Sequence, residues 1–299
     1  MSGTRGMEVE TLDATFGAAV RGLALPELDD ETFREIYGLW LEHALLIFPG
    51  QHLNHAEQVA FARRFGDLEF DLAPLSNVRS DGSLRSEDGD DGVVHILKGN
   101  MGWHADSTYM PIQAKGAVFT AHQVPSEGGE TGWADMCAAY DALDDGLRER
   151  IRGLSAFHSL VHSQAKLGHG PEATETPTKP NASGGDEYSG YGFEGHSPPL
   201  RPLVKVHPET GRSTLAIGRH AYGIPGLDPA ESEQLLADLV ETACQPPRTY
   251  HHDWAPGDAV VWDNRCLLHR GRPWDMSEPR VMYHSRIAGE EASEFAPPG

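Results

Sequence analysis

The chain has 299 residues, 39% of them hydrophobic and 23% charged, with a formal net charge of −21. Such a composition describes a globular chain that can bury a sizeable core, in one large domain or two small ones. The acidic balance argues against nucleic acid and anionic membrane surfaces as partners, because long-range repulsion opposes approach.

No apolar run reaches the ~18–20 residues a membrane span needs. Met1 to Gly6 lead into no apolar stretch of the kind a secretory signal carries. Cys137, Cys244 and Cys266 are an odd count with no paired motif, so they read as small core residues rather than a disulfide or thiolate zinc framework. A cytoplasmic protein is the expectation.

Phe33, Ile36, Tyr37, Trp40 and Leu41 follow the helical period, with Asp29 or Asp30 as cap. Leu45 to Phe48 reads as a short buried strand, stopped by Pro49-Gly50. Asn54 and Glu57 are placed as a capping box for a second helix ending near Gly66. Residues 76–92 are polar and Gly-rich and predict a mobile surface loop, in which Glu87-Asp88 and Asp90-Asp91 are solvated. Strand-like runs follow at 93–98, 117–124, 154–161, 201–207, 213–218, 249–254, 258–263 and 280–288. Two helices interrupt them. One has the stripe Tyr140, Leu143, Leu147, Ile151; the other has Leu235, Leu236, Leu239, Val240, Ala243, with Asp228 as cap and Pro229 in the first turn. His207 to Arg212 reads as a hairpin turn. Residues 168–199 lack periodicity and are rich in Gly, Pro, Ser and Thr, which suggests an active-site lid. With no internal repeat or linker, the expectation is one domain over 1–299, mainly β with flanking helices.

The chemistry starts at Trp103-His104-Ala105-Asp106. In a strand, residues two apart share a face, so His104 and Asp106 could reach one metal from one element. Among 16 His and 45 acidic residues, an H-x-D triplet alone is weak. A companion segment, Trp262-Asp263-Asn264-Arg265, leads to His269, and Arg280 lies eleven residues further on. Two His and one carboxylate with open positions define a non-haem Fe(II) oxygenase site. If the residues between them form a hairpin, His269 and Arg280 sit on adjacent strands. The Arg fork would then hold the far carboxylate of a 2-oxo diacid. His251 and His252 suggest a second metal cluster, but neighbours in a strand face opposite ways.

These segments, with Gly128-Gly129-Glu130-Thr131 and His207 to Arg212, resemble the taurine dioxygenase and 2,4-dichlorophenoxyacetate dioxygenase family of Fe(II)/2-oxoglutarate enzymes. The likeness runs over roughly residues 8–290. In GNMGWHADSTYMP, RPLVKVHPETG, IGRHA and WDNRCLLHR it is similar to the aryloxyalkanoate branch, acting on (S)-dichlorprop and 2,4-dichlorophenoxyacetate. The resemblance implies a double-stranded β-helix (jelly roll, cupin-like). It implies His104, Asp106 and His269 as iron ligands, and Thr131 and Arg280 on 2-oxoglutarate with Asn100 and Trp262 nearby. Dioxygen is the oxidant and a small carboxylate the substrate. Where taurine enzymes of the family carry an Arg four residues after the co-substrate Arg, this chain has His284. That turns the expectation from taurine towards ether cleavage of an aryloxyalkanoate, with taurine, alkyl sulfates or other small carboxylates as alternatives. His220, His284, Arg286, Arg219, Ser107 and Tyr109 are the substrate-pocket candidates.

Rival classes are a halogenase, a hydrolytic zinc enzyme and a non-catalytic cupin-like binding protein. Asp106 occupies the position a halide would need, hydrolysis has no use for Arg280, and a sensor would have lost the triad. The sequence is compatible with a homo-oligomer.

Overall fold

The computed structural model describes residues 6–87, 91–168 and 197–299. The segment predicted as a lid therefore lies, over 169–196, outside the described residues, as do Asp88 and Asp90.

Two short strands, β1 (Glu8–Thr11) and β2 (Ala18–Arg21), lead to α1 (Asp30–His43), β3 (Leu45–Phe48), α2 (His55–Arg63) and β4 (Leu68–Ser76). Asp29 caps α1 by accepting from the Thr32 amide. Asn54 and Glu57 form the predicted capping box of α2. Next come α3 (Gly92–Gly99), β5 (Gly116–Gln123), β6 (Thr131–Asp135), α4 (Met136–Asp141), α5 (Asp145–Ile151), β7 (Ser155–His158) and α6 (Leu160–Ala165). The final third contains β8 (Leu200–Pro202), β9 (Val204–Val206), β10 (Ser213–Leu215), β11 (Ala221–Tyr222), α7 (Pro229–Ala243), β12 (Thr249–His252), β13 (Ala259–Asp263), β14 (Leu267–Gly271), β15 (Val281–Ile287) and α8 (Glu291–Glu294). No helix of the described residues is long and apolar enough to cross a membrane.

One sheet has the order β1-β2-β3-β13-β5-β15-β4, and a smaller one β12-β6-β14. The strand period sorts their side chains. Leu46, Phe48, Val118 and Val261 face Phe33, Ile36 and Trp40 of α1 and Phe61 of α2. Their neighbours Leu45, Ile47, Phe119, Val260 and Trp262 point the other way, onto Trp133 of β6 and Leu267 of β14. The second face is where the two sheets meet, so polar groups placed there are withdrawn from water by both.

Several expectations are corrected. Residues 93–98, read as a strand from their β-branched start, form α3. Asp91 accepts from the Val93 amide as a cap, and Val94 and Leu97 are buried at helical spacing. Capping and tertiary burial override a weak β preference. The 76–87 stretch is not an open loop but folds back through a Val78–Leu84 bridge. Asp91 is not a solvated charge, because it pairs with Arg79 at 2.7 Å and Arg85 at 2.9 Å. The Tyr140–Ile151 stripe is two helices, the first ending at Asp141 with Ala142 as its C-cap and the second capped by Asp144. The Pro229 helix, the β9–β10 hairpin and the opposite facing of His251 and His252 match the sequence reading.

His158 on β7 gives a pH-linked prediction. It is 1% exposed, and neither ring nitrogen has a hydrogen-bond partner. Burial, then the charges of Arg201 and Lys205, pushes the imidazole down to about 3. The unfolded chain therefore takes up this proton first as pH falls. Its contribution to stability is complete above the ordinary histidine pKa of ~6.5 and is lost as pH drops towards about 3, by up to ~1.4 kcal/mol per pH unit. In urea titrations from pH 7 to 4, His158→Phe should flatten that slope; an unchanged slope would contradict the assignment.

Candidate metal centre and substrate cavity

His104, Asp106 and His269 are all buried, and one ligand atom from each lies within 4.8 Å of the others. His104 does not sit in a strand, as expected, but in a single bridge to His269. The His104 amide donates to the His269 carbonyl at 3.0 Å, and the His269 amide donates back at 2.7 Å. The chain then leaves extended geometry, because Ser107 adopts φ +56°. Asp106 is aimed instead by Asn264, whose Oδ1 accepts from the Asp106 amide at 2.7 Å while its Nδ2 donates to the Asp106 carbonyl at 2.9 Å. The WDNR segment thus holds the first ligand pair from 158 residues away in sequence.

Several features fit this cluster to a metal. His104 Nδ1 lies 2.8 Å from the Gly102 carbonyl, which only accepts, so Nδ1 carries the proton and Nε2 keeps its lone pair. His269 Nε2 is 3.7 Å from Asp106 Oδ2, too far for a hydrogen bond, and Oδ2 is buried with no hydrogen-bond partner. Burial by itself would raise the Asp106 carboxyl. The Arg286 guanidinium beside it overcomes this and holds it well below the usual carboxylate range. Burial lowers both His104 and His269, which favours the neutral imidazoles. An ionised carboxylate and two neutral imidazoles are the donor set of a divalent cation.

The other predicted residues, Ser107 apart, line one cavity with the triad. Arg280 is buried, and its Nε donates to the Gly129 carbonyl at 3.1 Å. Burial lowers the guanidinium to about 10. It is not on a strand beside His269. His269 lies on β14 of the small sheet, whereas Arg280 precedes β15 of the large one. Pro273 and Pro279 cannot donate ladder hydrogen bonds, so the intervening residues form no hairpin. Thr131 Oγ1 accepts from Trp254 Nε1 at 3.0 Å, which leaves its own proton to give. Asn100 caps the end of α3, and Trp262 stacks on His284 at 5.6 Å between ring centres.

Of the substrate candidates, Arg286 faces the metal cluster. Its Nη2 donates to Asp106 Oδ1 at 2.8 Å and its Nη1 to Ser107 Oγ at 3.2 Å. Ser107 in turn donates to Glu69 at 2.9 Å. His284 Nε2 is 3.5 Å from Asp106 Oδ2. Tyr109 meets His220 edge-on at 4.9 Å, and His220 stands 5.7 Å from His104.

Sequence reasoning missed Glu69, Gln164, Gly218, Arg270, Arg272 and Trp274. Only Gly218 carried a local signal. It has φ +124°, and a Cβ there would sit 3.1 Å from the Trp103 carbonyl and 3.4 Å from His104 Cα. A second group, His207, Asp263 and Cys266, is equally close together. Its donors are already used, however. His207 Nε2 donates to Asp263 Oδ2 at 3.0 Å, and Arg265 bonds the same oxygen at 2.6 Å. It is an ion-pair knot, not a cation site.

Residues 8–286 match the family model "Taurine catabolism dioxygenase TauD, TfdA family". The chain is 62% identical to an (S)-phenoxypropionate/alpha-ketoglutarate-dioxygenase of Sphingobium herbicidovorans, over 97% of each chain. It is 53% identical to one of the same name from Delftia acidovorans, over 97% of this chain and 98% of that one. Among solved structures, AAD-2 in complex with Mn(II) and N-oxalylglycine superposes with a TM-score of 0.84 at 36% identity, covering 95% of this chain and 99% of that chain. The chain belongs to the TauD/TfdA dioxygenase family. It is an oxidoreductase, a 2-oxoglutarate-dependent dioxygenase, and that membership brings iron(II), 2-oxoglutarate and dioxygen as its metal and co-substrates.

Proposed function

We propose that the enzyme oxygenates a small aryloxyalkanoate of the (S)-phenoxypropionate or 2,4-dichlorophenoxyacetate type. One oxygen atom enters the C–H bond beside the ether oxygen. The hemiketal or hemiacetal so formed collapses to a phenol and a 2-oxo acid. The other oxygen atom leaves in succinate, with carbon dioxide released from 2-oxoglutarate. The observation that carries this reading is the buried His104–Asp106–His269 cluster sharing one cavity with the buried cation Arg280. The 62% and 53% identities to (S)-phenoxypropionate dioxygenases support the substrate class.

His104 Nε2, Asp106 Oδ2 and His269 would hold iron(II), which when bound supplies oxygen activation coupled to decarboxylation of the co-substrate. The rest is done by side chains. Arg280 grips the far carboxylate of 2-oxoglutarate, and the Thr131 hydroxyl donates to it. Trp262, Phe119 and Trp274 keep water from that end. Arg286 and Asn264 fix Asp106 so that one oxygen stays turned to the metal. The meeting of the seven-stranded and three-stranded sheets supports a double-stranded β-helix. Three free cysteines fit a reducing cytoplasm, and the charge of −21 fits a small-molecule substrate rather than nucleic acid.

With Fe(II), 2-oxoglutarate and ascorbate, aryloxypropionates and aryloxyacetates should give oxygen-dependent succinate and an equal amount of phenol. Taurine and alkyl sulfates should give little. Succinate released only with the sulfur compounds would overturn the substrate class, and none with any compound would overturn the activity.

A further inference from the structure

We propose that Arg219, steadied by Gln164 and given room by Gly99 and Gly102, is the anchor for the substrate carboxylate, an anion site separate from that at Arg280. This rests on the dioxygenase reading above. With a net charge of −21, the field of the whole protein does not draw an anion in, so a local cation must hold it.

The cations lining the cavity are Arg219, Arg270, Arg272, Arg280 and Arg286. Arg280 has the co-substrate, and Arg286 gives Nη2 to Asp106 at 2.8 Å. His284, at the position where taurine enzymes carry an Arg, lies 3.5 Å from the same Asp106 carboxylate. Arg270 stacks on Trp103 at 4.4 Å and reaches His251 at 3.4 Å, while Arg272 is exposed. Arg219 remains. Like Arg270, Arg272 and Arg280, and unlike Arg286, it has no carboxylate partner among the described residues, and it is neither exposed nor stacked on an indole. Its Nη2 bonds only neutral groups, Gln164 Oε1 at 2.8 Å and Ser163 Oγ at 3.4 Å.

Its neighbour His220 is poorly suited to the task. Ser163 Oγ gives its one proton to the Leu160 carbonyl, so His220 Nδ1 is the donor in their 2.8 Å contact. His220 Nε2 is then an acceptor and offers nothing to a carboxylate.

The backbone holds Arg219 next to the metal cluster, where its amide donates to the Trp103 carbonyl at 2.8 Å. A Cβ at Gly99 would lie 2.5 Å from Arg219 Nη1 and 2.8 Å from Gln164 Oε1. One at Gly102 would lie 3.1 Å from Arg219 Cδ. Glycine at both positions lets the guanidinium pass beside the end of α3. Ile96 on α3 and Leu160 on α6 add an apolar wall to the same cavity for the aryl part.

The test is anaerobic titration of the Fe(II)- and 2-oxoglutarate-loaded enzyme with 2,4-dichlorophenoxyacetate, (S)-2-aryloxypropionate and their uncharged methyl esters. Arg219→Gln should weaken the acids by about 30- to 300-fold, the scale of a lost charge-assisted pair. Its ester affinity and its 2-oxoglutarate affinity should stay within about twofold. Arg219→Lys, which keeps the charge but not the fork, should fall between. Gly99→Ala should raise KM for the acids at nearly constant kcat, as expected of a positioning residue. Acid binding unchanged in Arg219→Gln overturns the proposal, as does a loss shared equally by the esters. So does the same loss appearing in Arg270→Gln instead. If the wild-type enzyme binds 2-oxoglutarate but none of the acids, the substrate reading fails first and the anchor fails with it.

Discussion

Asp106→Ala should reduce turnover more than a thousandfold and at the same time destabilise the metal-free protein. Two separate contacts are lost. Asp106 Oδ2 is the orphaned oxygen beside His269, so its removal takes one of three donors from the metal and should weaken Fe(II) or Mn(II) binding at least tenfold. Oδ1 is the acceptor of Arg286, which is 2% exposed. Removing one partner of a buried pair leaves an uncompensated charge and costs about 3–5 kcal/mol. Asp106→Asn separates the two effects. Its amide oxygen can still accept from Arg286, so most stability should return while turnover stays low. Metal titration by calorimetry and urea melts of the metal-free variants read each effect alone. Normal iron affinity in Asp106→Ala would contradict its assignment as a ligand.

Arg280→Gln should weaken 2-oxoglutarate by about 100- to 1000-fold with little change in metal affinity. The Arg280 amide already bonds Asn77 Oδ1 at 2.8 Å, so the backbone stays in place when the side chain changes. The buried guanidinium donates Nε to the Gly129 carbonyl, a bond the variant also loses. The distinguishing measurement is selectivity among co-substrates. A 2-oxo acid without the far carboxylate should lose little affinity in the variant, because it never used the fork. Equal weakening of both would point to a packing role. The Arg280 charge also lies over Phe119 and Trp274, at 6.0 and 5.2 Å from the ring centres.

These effects separate what each cavity cation does. Arg286 bonds the Asp106 carboxylate, Arg280 bonds the Gly129 carbonyl, and the proposed roles are the co-substrate for Arg280 and the substrate for Arg219. None of these divisions follows from the residue type, which is the same in all three.

Much of the site was legible in the sequence because the chemistry demands particular residue types at spacings that survive local irregularity. His104 and Asp106 come together with His269 although no strand carries them, since a single bridge and the Asn264 clamp do the work expected of a strand. The capped helices α1, α2 and α7 were legible for a similar reason, because a cap and a stripe are local. The 93–98 run was misread because its β-branched residues carry little intrinsic preference against burial and a well-placed Asp91. The contact of Arg286 with Asp106 was not legible, because the two lie 180 residues apart in sequence.

What the sequence by itself determined is the grouping of His104, Asp106 and His269, the presence of Arg280 at its offset, and a mainly β chain with helices. Tertiary structure alone decided which protein groups each cavity cation meets. Arg219 and Arg286 are indistinguishable as letters. They differ because, among the described residues, packing brings Asp106 to one and the neutral Gln164 and Ser163 to the other, and a charge is defined in function by what lies within a few ångströms of it.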